Sequence, residues 1–144
     1  MKDSEIAIKS FIQGNSCAQA ILEGYCKRVN IDSNIALKIG AGLGGGVGRS
    51  QTICGAINAG AIILGLKHSS GITGDTESKE KVSEIAGRFV HECAMTLGST
   101  QCKDLLKINL SNPDERLAAK ESGLFERVCN NAVEQTAKIL EKYL

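Results

Sequence analysis

Six cysteines are the residues of this chain that are best suited to chemistry. A cysteine thiolate is a nucleophile, a redox group and a metal ligand, so several thiols in one chain indicate disulfide exchange or metal binding. No two of the six form a Cys-x-x-Cys pair. Cysteine is also a small residue that is often buried, and this structural explanation applies to each position in turn. The six are Cys17, Cys26, Cys54, Cys93, Cys102 and Cys129.

Three of the cysteines follow sequences that are typical of helix starts. Cys17 follows Gly-Asn-Ser, Cys54 follows a glycine-rich stretch, and Cys102 comes shortly after Gly-Ser-Thr. The partial positive charge at a helix N-terminus stabilises a thiolate, so these positions favour a reactive or metal-bound sulfur. Core packing alone gives cysteine no preference for first turns. Three such positions out of six therefore indicate a function.

The other three cysteines have plainer explanations. Cys93 and Cys129 lie on apolar stripes of predicted helices, where a buried core thiol is the ordinary case. Cys26 lies beside Lys27 and Arg28, whose charges could lower its pKa. An exposed cysteine without a role is the simpler interpretation of that position.

The segment from Gly40 to Arg49 contains six glycines. Glycine allows backbone to approach other backbone, or a bound group, more closely than other residues do. Phosphate-binding loops have a similar composition, but they follow a strand, and the P-loop ends in Gly-Lys-Ser or Gly-Lys-Thr, which is missing here. A close crossing of two helices explains the glycines more simply. Arg49 could stabilise a thiolate or a metal cluster, and a surface arginine is equally consistent.

The helical spacing of apolar residues predicts an all-α fold, a single-domain bundle of six or seven helices. The only proline is Pro113, and alternating β-branched runs are missing. The fourth predicted helix is apolar nearly all round, so we expect it at the centre of the bundle. Residues 110–123 are expected to form a turn or a short helix. The predicted helices cover residues 3–13, 16–27, 32–39, 51–66, 75–97, a short piece around 102–106, and 122–143.

Length and charge exclude several classes of protein. One domain, residues 1–144, accounts for the length of the chain. The formal net charge is +1, from 17 basic and 16 acidic residues, so no strong field attracts nucleic acid. The most apolar segment, residues 53–66, is shorter than the roughly 20 residues that cross a bilayer, and no signal peptide is recognisable. We expect a cytoplasmic protein without membrane insertion. The scarcity of aromatic residues favours a homodimer.

The order and context of four cysteines resemble a family of redox-active proteins named for a C_GCAxxG_C_C cysteine pattern. The likeness extends over nearly the whole chain and includes the glycine-rich stretch. One departure is that the glycine expected after Cys-Gly-Ala comes one residue late, at Gly60. The matching residues are Cys17 in Asn-Ser-Cys-Ala, Cys54 in Cys-Gly-Ala, Cys102 in Thr-Gln-Cys-Lys-Asp, and Cys129 in Val-Cys.

The resemblance implies an all-α fold, redox activity and kinship with the iron–sulfur domain of split-Soret cytochromes. It does not imply haem, because a Cys-x-x-Cys-His motif is missing. It also implies that Cys26 and Cys93 are thiols without a role. The residues that it implies for redox chemistry or cofactor binding are Cys17, Cys54, Gly55, Cys102 and Cys129.

Three classes of function stay open at this point. The first is an electron-transfer protein whose four cysteines bind an iron–sulfur cluster, or alternatively Zn²⁺. The second is a metal-free thiol–disulfide redox protein. The third is a non-catalytic helical interaction protein with packed cysteines. The first requires the four cysteines to converge in space, and the second requires two of them to lie close enough for a disulfide. We expect all four to converge, and the sequence names neither a substrate nor a redox partner.

Overall fold

The computed structural model describes all 144 residues and contains eight α-helices and no strand. The predicted all-α class is confirmed. None of the helices has both the length and the apolar composition needed to cross a membrane. The helices are α1 (Asp3–Ile12), α2 (Cys17–Tyr25), α3 (Ser33–Gly40), α4 (Gly55–His68), α5 (Thr76–Leu97), α6 (Cys102–Leu106), α7 (Pro113–Glu121) and α8 (Leu124–Leu140).

The predicted number of six or seven helices is wrong because α7 is a complete helix. Its start carries standard signals: Pro113 occupies the first position, and the Asn112 side chain accepts hydrogen bonds from the backbone N–H groups of Asp114 and Glu115. A proline followed by charged residues was compatible with a turn, which is why the prediction left this segment open.

Two predicted helix starts lie too early, by four residues for α4 and by two for α8. Helix α4 begins at Gly55, not at residue 51, and α8 begins at Leu124. Gln51 and Gly123 have φ angles of +60° and +75°, which a right-handed helix cannot include. The N-terminal parts of these predicted helices are therefore loops, and residues 51–54 are free to pair with another segment.

The main hydrophobic core joins six of the helices. Helix α2 packs against α1, α3, α4 and α8, while α4 packs against α2, α5 and α8. Leu66 of α4 is exposed, and Ala61 and Ile62 are only half-buried. The predicted central position of α4 is not confirmed, because its C-terminal half is not covered on all sides.

A second, smaller hydrophobic cluster lies beside the main core. Its buried members are Cys102, Leu106 and Leu110, and the N-terminal half of α8 packs against them. The C-terminal half of α8 belongs to the main core. Helix α8 therefore connects the two clusters, and a cavity lies where they meet.

The contact between α4 and α5 depends on one glycine. A Cβ atom at Gly60 of α4 would collide with the ring of Phe89, which is fully buried on α5. Gly65, one turn further along α4, has no atom within 4 Å of its Cβ position. The two glycines thus differ in packing while sharing a helix.

We expect Gly60→Ala to lower the free energy of unfolding by about 1–3 kcal/mol, because the added methyl group overpacks the Phe89 site. Gly65→Ala is the matched control and should leave stability unchanged or raise it by up to about 1 kcal/mol, since alanine favours helix formation. Urea unfolding followed by circular dichroism measures both. Equal stability of the two variants would contradict this account of the α4–α5 contact.

Candidate functional site

Cys17 occupies the first helical position of α2. The Ser16 side chain accepts a hydrogen bond from the backbone N–H of Gln19 at 3.2 Å, and the Gln19 side chain accepts one from the Ser16 N–H at 3.0 Å. This reciprocal pattern is a capping box, which fixes where the helix begins. The Cys17 sulfur is thereby held at the positive end of the α2 dipole.

Cys54 is the residue that immediately precedes α4. Backbone N–H groups of the first turn of that helix, from Ala56 and Ile57, stabilise the Cys54 thiolate. Cys54 is 5% exposed and lies on the wall of the cavity. The helix start thus supplies the electrostatic setting that the sequence predicted for this cysteine.

A short backbone pairing places Cys102 next to Cys54. The Cys54 N–H donates to the Thr100 carbonyl at 2.7 Å, and the Cys102 N–H donates to the Thr52 carbonyl at 2.8 Å. Ile53 and Gln101, the residues between these partners, form an isolated antiparallel bridge. The starts of α4 and α6 therefore lie side by side, although 48 positions separate the two cysteines in the sequence.

All four cysteines of the predicted set line one cavity of about 840 Å³ at the junction of the two hydrophobic clusters. Cys17 and Cys54 reach it from the main core, and Cys102 and Cys129 reach it from the smaller cluster. Cys129 lies in the middle of a helix, unlike the other three, and faces the cavity from α8. Four separate helices or helix starts thus bring four thiols to one space.

Gly55 allows the two thiols of the main core to approach each other. A Cβ atom at this position would lie 2.8 Å from the Cys17 sulfur and 3.0 Å from the Leu43 carbonyl oxygen. Any other residue would push the Cys17 sulfur away from the start of α4. The predicted role of Gly55 in cofactor binding stays a prediction, and its spatial role is to make room for Cys17.

The thiols of Cys17 and Cys54 differ in acidity because they interact directly. The Cys17 S–H, together with the N–H groups of Ala56 and Ile57, outweighs burial and lowers the pKa of Cys54 to about 7. The same interaction, together with burial and the negative charge of Cys54, raises the pKa of Cys17 well above its usual range. The pair therefore holds one thiolate and one proton near neutral pH.

The two thiols of the smaller cluster are neutral in this environment. Burial and the charge of Cys54 raise the pKa of Cys102 to about 11 and that of Cys129 to about 12. Burial among apolar side chains disfavours the thiolate, and Cys54 adds a like charge. Near neutral pH, only Cys54 of the four is poised to react as a thiolate.

Cys26 and Cys93 do not line the cavity. Both are buried in the main core, where burial raises the pKa of each, that of Cys93 to about 12. The exposed position and the lowered pKa considered for Cys26 are therefore wrong, because its side chain points into the core. The charge of Cys54 contributes to the raised pKa of Cys93, but Cys93 lies on the core side of Cys54.

The glycine-rich stretch forms a left-handed turn at the cavity rim. Five consecutive residues, 45–49, have φ angles between +58° and +67°. Val47 and Arg49 adopt this conformation although they carry side chains, at a cost of roughly 1–2 kcal/mol per residue. The Gly46 carbonyl compensates in part, because it accepts hydrogen bonds from the backbone N–H and hydroxyl of Thr52 and from the Ser50 hydroxyl.

Gln51 connects this turn to the smaller cluster, a role that no sequence signal indicated. Its side chain donates to the Ile108 carbonyl at 2.7 Å and accepts from the Leu110 N–H at 2.9 Å. Its backbone carbonyl accepts from the Lys103 N–H. A buried amide that satisfies two backbone groups fixes the loop behind α6 and, with it, the wall that carries Cys102.

The rim of the cavity carries positive charge. Arg49, Arg116 and Lys120 line it, and no aspartate or glutamate does. Sequence analysis considered Arg49 but missed the two residues of α7, because it left open whether their segment is a turn or a short helix. Arg116 and Lys120 lie at the same cavity as Arg49 only because α7 folds over it.

No three Cys, His, Asp or Glu side chains are arranged so that they could hold a single metal ion. The four thiols share a cavity, but a tetrahedral site requires all sulfurs about 2.3 Å from one centre. The thiols are close enough for their charges to interact, Cys54 with Cys102 and Cys129, and Cys129 also with Cys102 and Cys17. Their sulfurs do not, however, converge on one point. The site is a lined space, not a preformed single-ion cage.

Comparison with known proteins agrees with the cysteine pattern. The model of the family described as "Putative redox-active protein (C_GCAxxG_C_C)" matches residues 15–143. This chain belongs to that family. No curated protein and no solved structure matches the chain. The family match covers all four cysteines of the cavity, and Gly60, the glycine that comes one residue late, contacts Phe89 as described above.

The difference in acidity can be tested through the thiolate of Cys54. Below its pKa the thiol is protonated, so the thiolate signal should appear as pH rises through about 7. Cys17→Ala removes the largest stabilising contribution and should move this transition upward, toward the ordinary thiol value near 8.5. The measurement is the ultraviolet thiolate absorbance of each protein minus that of its Cys54→Ala counterpart. Cys26→Ala is the control; a transition unmoved by Cys17→Ala would refute the direct interaction.

Proposed function

We propose that this protein is a thiol-based redox protein in which Cys54 and Cys17 are the reacting pair. Family membership supports the redox class, and the arrangement of the two thiols supports the finer assignment. The observation that carries it is that two cysteines from separate helix starts line one cavity, with the Cys17 sulfur 2.8 Å from the Cβ position of Gly55, the residue after Cys54. Packing alone requires neither this closeness nor the unequal acidity of the two thiols.

The two residues take different parts in this proposal. Cys54, as a thiolate, attacks an oxidised sulfur or another electrophilic oxidant. Cys17, which keeps its proton until Cys54 is no longer charged, then attacks the Cys54 sulfur and closes a disulfide. Starting from one thiolate and one thiol, the net change is the loss of one proton and two electrons from the pair. Gly55 contributes by leaving space for the Cys17 sulfur beside Cys54.

A second candidate function is electron transfer through an iron–sulfur cluster bound by Cys17, Cys54, Cys102 and Cys129. The specific observation that favours it is that all four thiols, and not only the first pair, line the cavity. The donor set fits: four sulfurs, helix N-termini and a rim of cations without carboxylates suit an anionic cluster. Such a cluster, when bound, would accept and release single electrons. The arrangement does not fit a single Zn²⁺ ion equally well, since no three donors converge.

The pair is tested by oxidation with diamide, a neutral thiol oxidant, followed by peptide mass spectrometry. We expect a disulfide between Cys17 and Cys54, which is lost in Cys17→Ala and in Cys54→Ala. Cys102→Ala and Cys129→Ala should still form it, because these thiols are neutral and lie outside the pair. Cys26→Ala is the control for a buried cysteine outside the cavity. A disulfide between any other two cysteines would overturn the assignment.

The cluster is tested by iron and sulfide content and visible absorbance after anaerobic purification. If four thiolates bind it, replacing any of the four cysteines by alanine should remove most of the iron. Cys26→Ala and Cys93→Ala should retain the iron, because neither lines the cavity. Cys102→Ala separates the two functions: it abolishes iron binding if a cluster is present and preserves disulfide formation if the pair acts alone.

A further inference from the structure

The proposed thiol pair leaves the positive charge at the rim of the cavity unexplained. The chain as a whole has nearly equal numbers of acids and bases, 16 and 17, yet the cavity is lined by three bases and no acid. Arg49 and Lys120 form no salt bridge, unlike Arg28, Arg88, Lys138 and Lys142. Arg116 donates only to the backbone carbonyl of Leu110, at 2.8 Å. These cations are not neutralised within the protein.

The structure holds Arg49 at the rim at an energetic cost. Its φ angle is +65°, which disfavours any residue with a side chain. A Cβ at Gly45 would lie 2.9 Å from the Arg49 Cα and 3.1 Å from its Cγ, so this approach is possible only beside glycine. An ordinary surface arginine needs neither feature. Strained residues at the edge of a cavity are typical of ligand contacts.

The interior of the cavity is apolar between the cations and the thiols. Leu105, Leu117, Phe125 and Val128 line it, and the volume of about 840 Å³ accommodates a small organic molecule. Glu126, one turn before Cys129, faces a neighbouring cavity together with Lys120 and does not line this one. A fitting ligand therefore has an apolar body and one or more negative groups.

We propose that the oxidant of this site is a small organic disulfide that carries carboxylates, bound by Arg49, Arg116 and Lys120 with its sulfur atoms toward Cys54. This inference rests on the proposed thiol pair and names its substrate class. The thiols and the cations share one cavity, so a molecule that contacts both must combine a thiol-reactive group with negative charge.

The reaction balances without a further reagent. The Cys54 thiolate attacks one sulfur of the disulfide, forms a mixed disulfide and releases the first substrate thiolate, which takes up a proton. Cys17 then loses its proton and attacks the Cys54 sulfur, and the second substrate thiolate leaves and is protonated. The protein pair is oxidised by two electrons, and the substrate disulfide is reduced to two thiols.

Three disulfides of similar length and different charge test the inference: 3,3′-dithiodipropionate with two carboxylates, bis(2-hydroxyethyl) disulfide without charge, and cystamine with two ammonium groups. The full-length protein is reduced, freed of reductant anaerobically, and its rate of Cys17–Cys54 disulfide formation is measured. An isolated thiolate repels the dicarboxylate and reacts fastest with cystamine. We expect the opposite order here, with the dicarboxylate fastest, and we expect added salt to reduce the difference.

Paired variants identify the cations responsible. Arg49→Gln with Lys120→Gln should lower the rate with the dicarboxylate by about tenfold and change the rate with the neutral disulfide little. Lys79→Gln with Lys81→Gln is the control, because both lysines are exposed on α5, form no salt bridge, and change the net charge equally. Reaction with the neutral disulfide also reports whether the variant is folded.

The outcomes separate the inference from the proposed function. Equal rates for all three disulfides, or cystamine fastest, would overturn the substrate class while leaving the thiol pair intact. Reaction with diamide but with none of the disulfides would have the same meaning. Failure of diamide to join Cys17 and Cys54 would instead overturn the thiol pair itself.

Discussion

The antiparallel pairing of residues 51–54 with residues 100–103 is the interaction on which the rest of the site depends. It consists of a few backbone hydrogen bonds between two loops, yet it sets the starting points of α4 and α6. Because the N-termini of two helices are thereby side by side, Cys54, which precedes α4, and Cys102, the first residue of α6, lie at neighbouring positive helix ends. The left-handed turn of residues 45–49 leads directly into this pairing, and hydrogen bonds from the Gln51 and Thr52 N–H groups to the Gly45 and Gly46 carbonyls join the two.

The acidity of the four thiols illustrates how position decides chemistry among identical side chains. Cys54 receives N–H groups from a helix start and an S–H from Cys17, so its charged form is stabilised. Cys102 is also at a helix start, but α6 is a helix of only five residues, and burial dominates. Cys129 lies inside α8, so the N-terminus of its own helix does not hold its sulfur. A helix N-terminus lowers the pKa of a thiol only where neighbouring hydrogen-bond donors also stabilise the thiolate and burial does not outweigh both effects.

Much of this could be predicted from the sequence, and the failures have physical causes. Helix existence followed from apolar periodicity, and three cysteines were predicted near helix starts because Asn-Ser, a glycine-rich stretch and Gly-Ser-Thr precede them. The start of α4 was misplaced because nothing in the residue type of Gln51 reveals a positive φ, which the pairing and the Gly46 carbonyl impose. The contribution of Arg116 and Lys120 to the charge of the cavity rim could not be predicted, because it depends on how α7 folds over the cavity. Local sequence signals predict individual helices, whereas the pairing of loops that are distant in the sequence depends on the whole fold.

The position of the cavity between two hydrophobic clusters has a consequence for its stability. The smaller cluster has 3 buried residues against 21 in the main core, so we expect it to open locally more easily than the main core does. Its opening, with fraying of the first turns of α8, would carry Cys102 and Cys129 away while the main core kept Cys17 beside Cys54. Substitutions of residues that pack beneath α6 or α7 would then change how often the smaller cluster opens. Amide hydrogen exchange would detect this change, whereas the melting temperature of the whole domain would not. The four-thiol arrangement would be lost in this opened form while the two-thiol arrangement persisted.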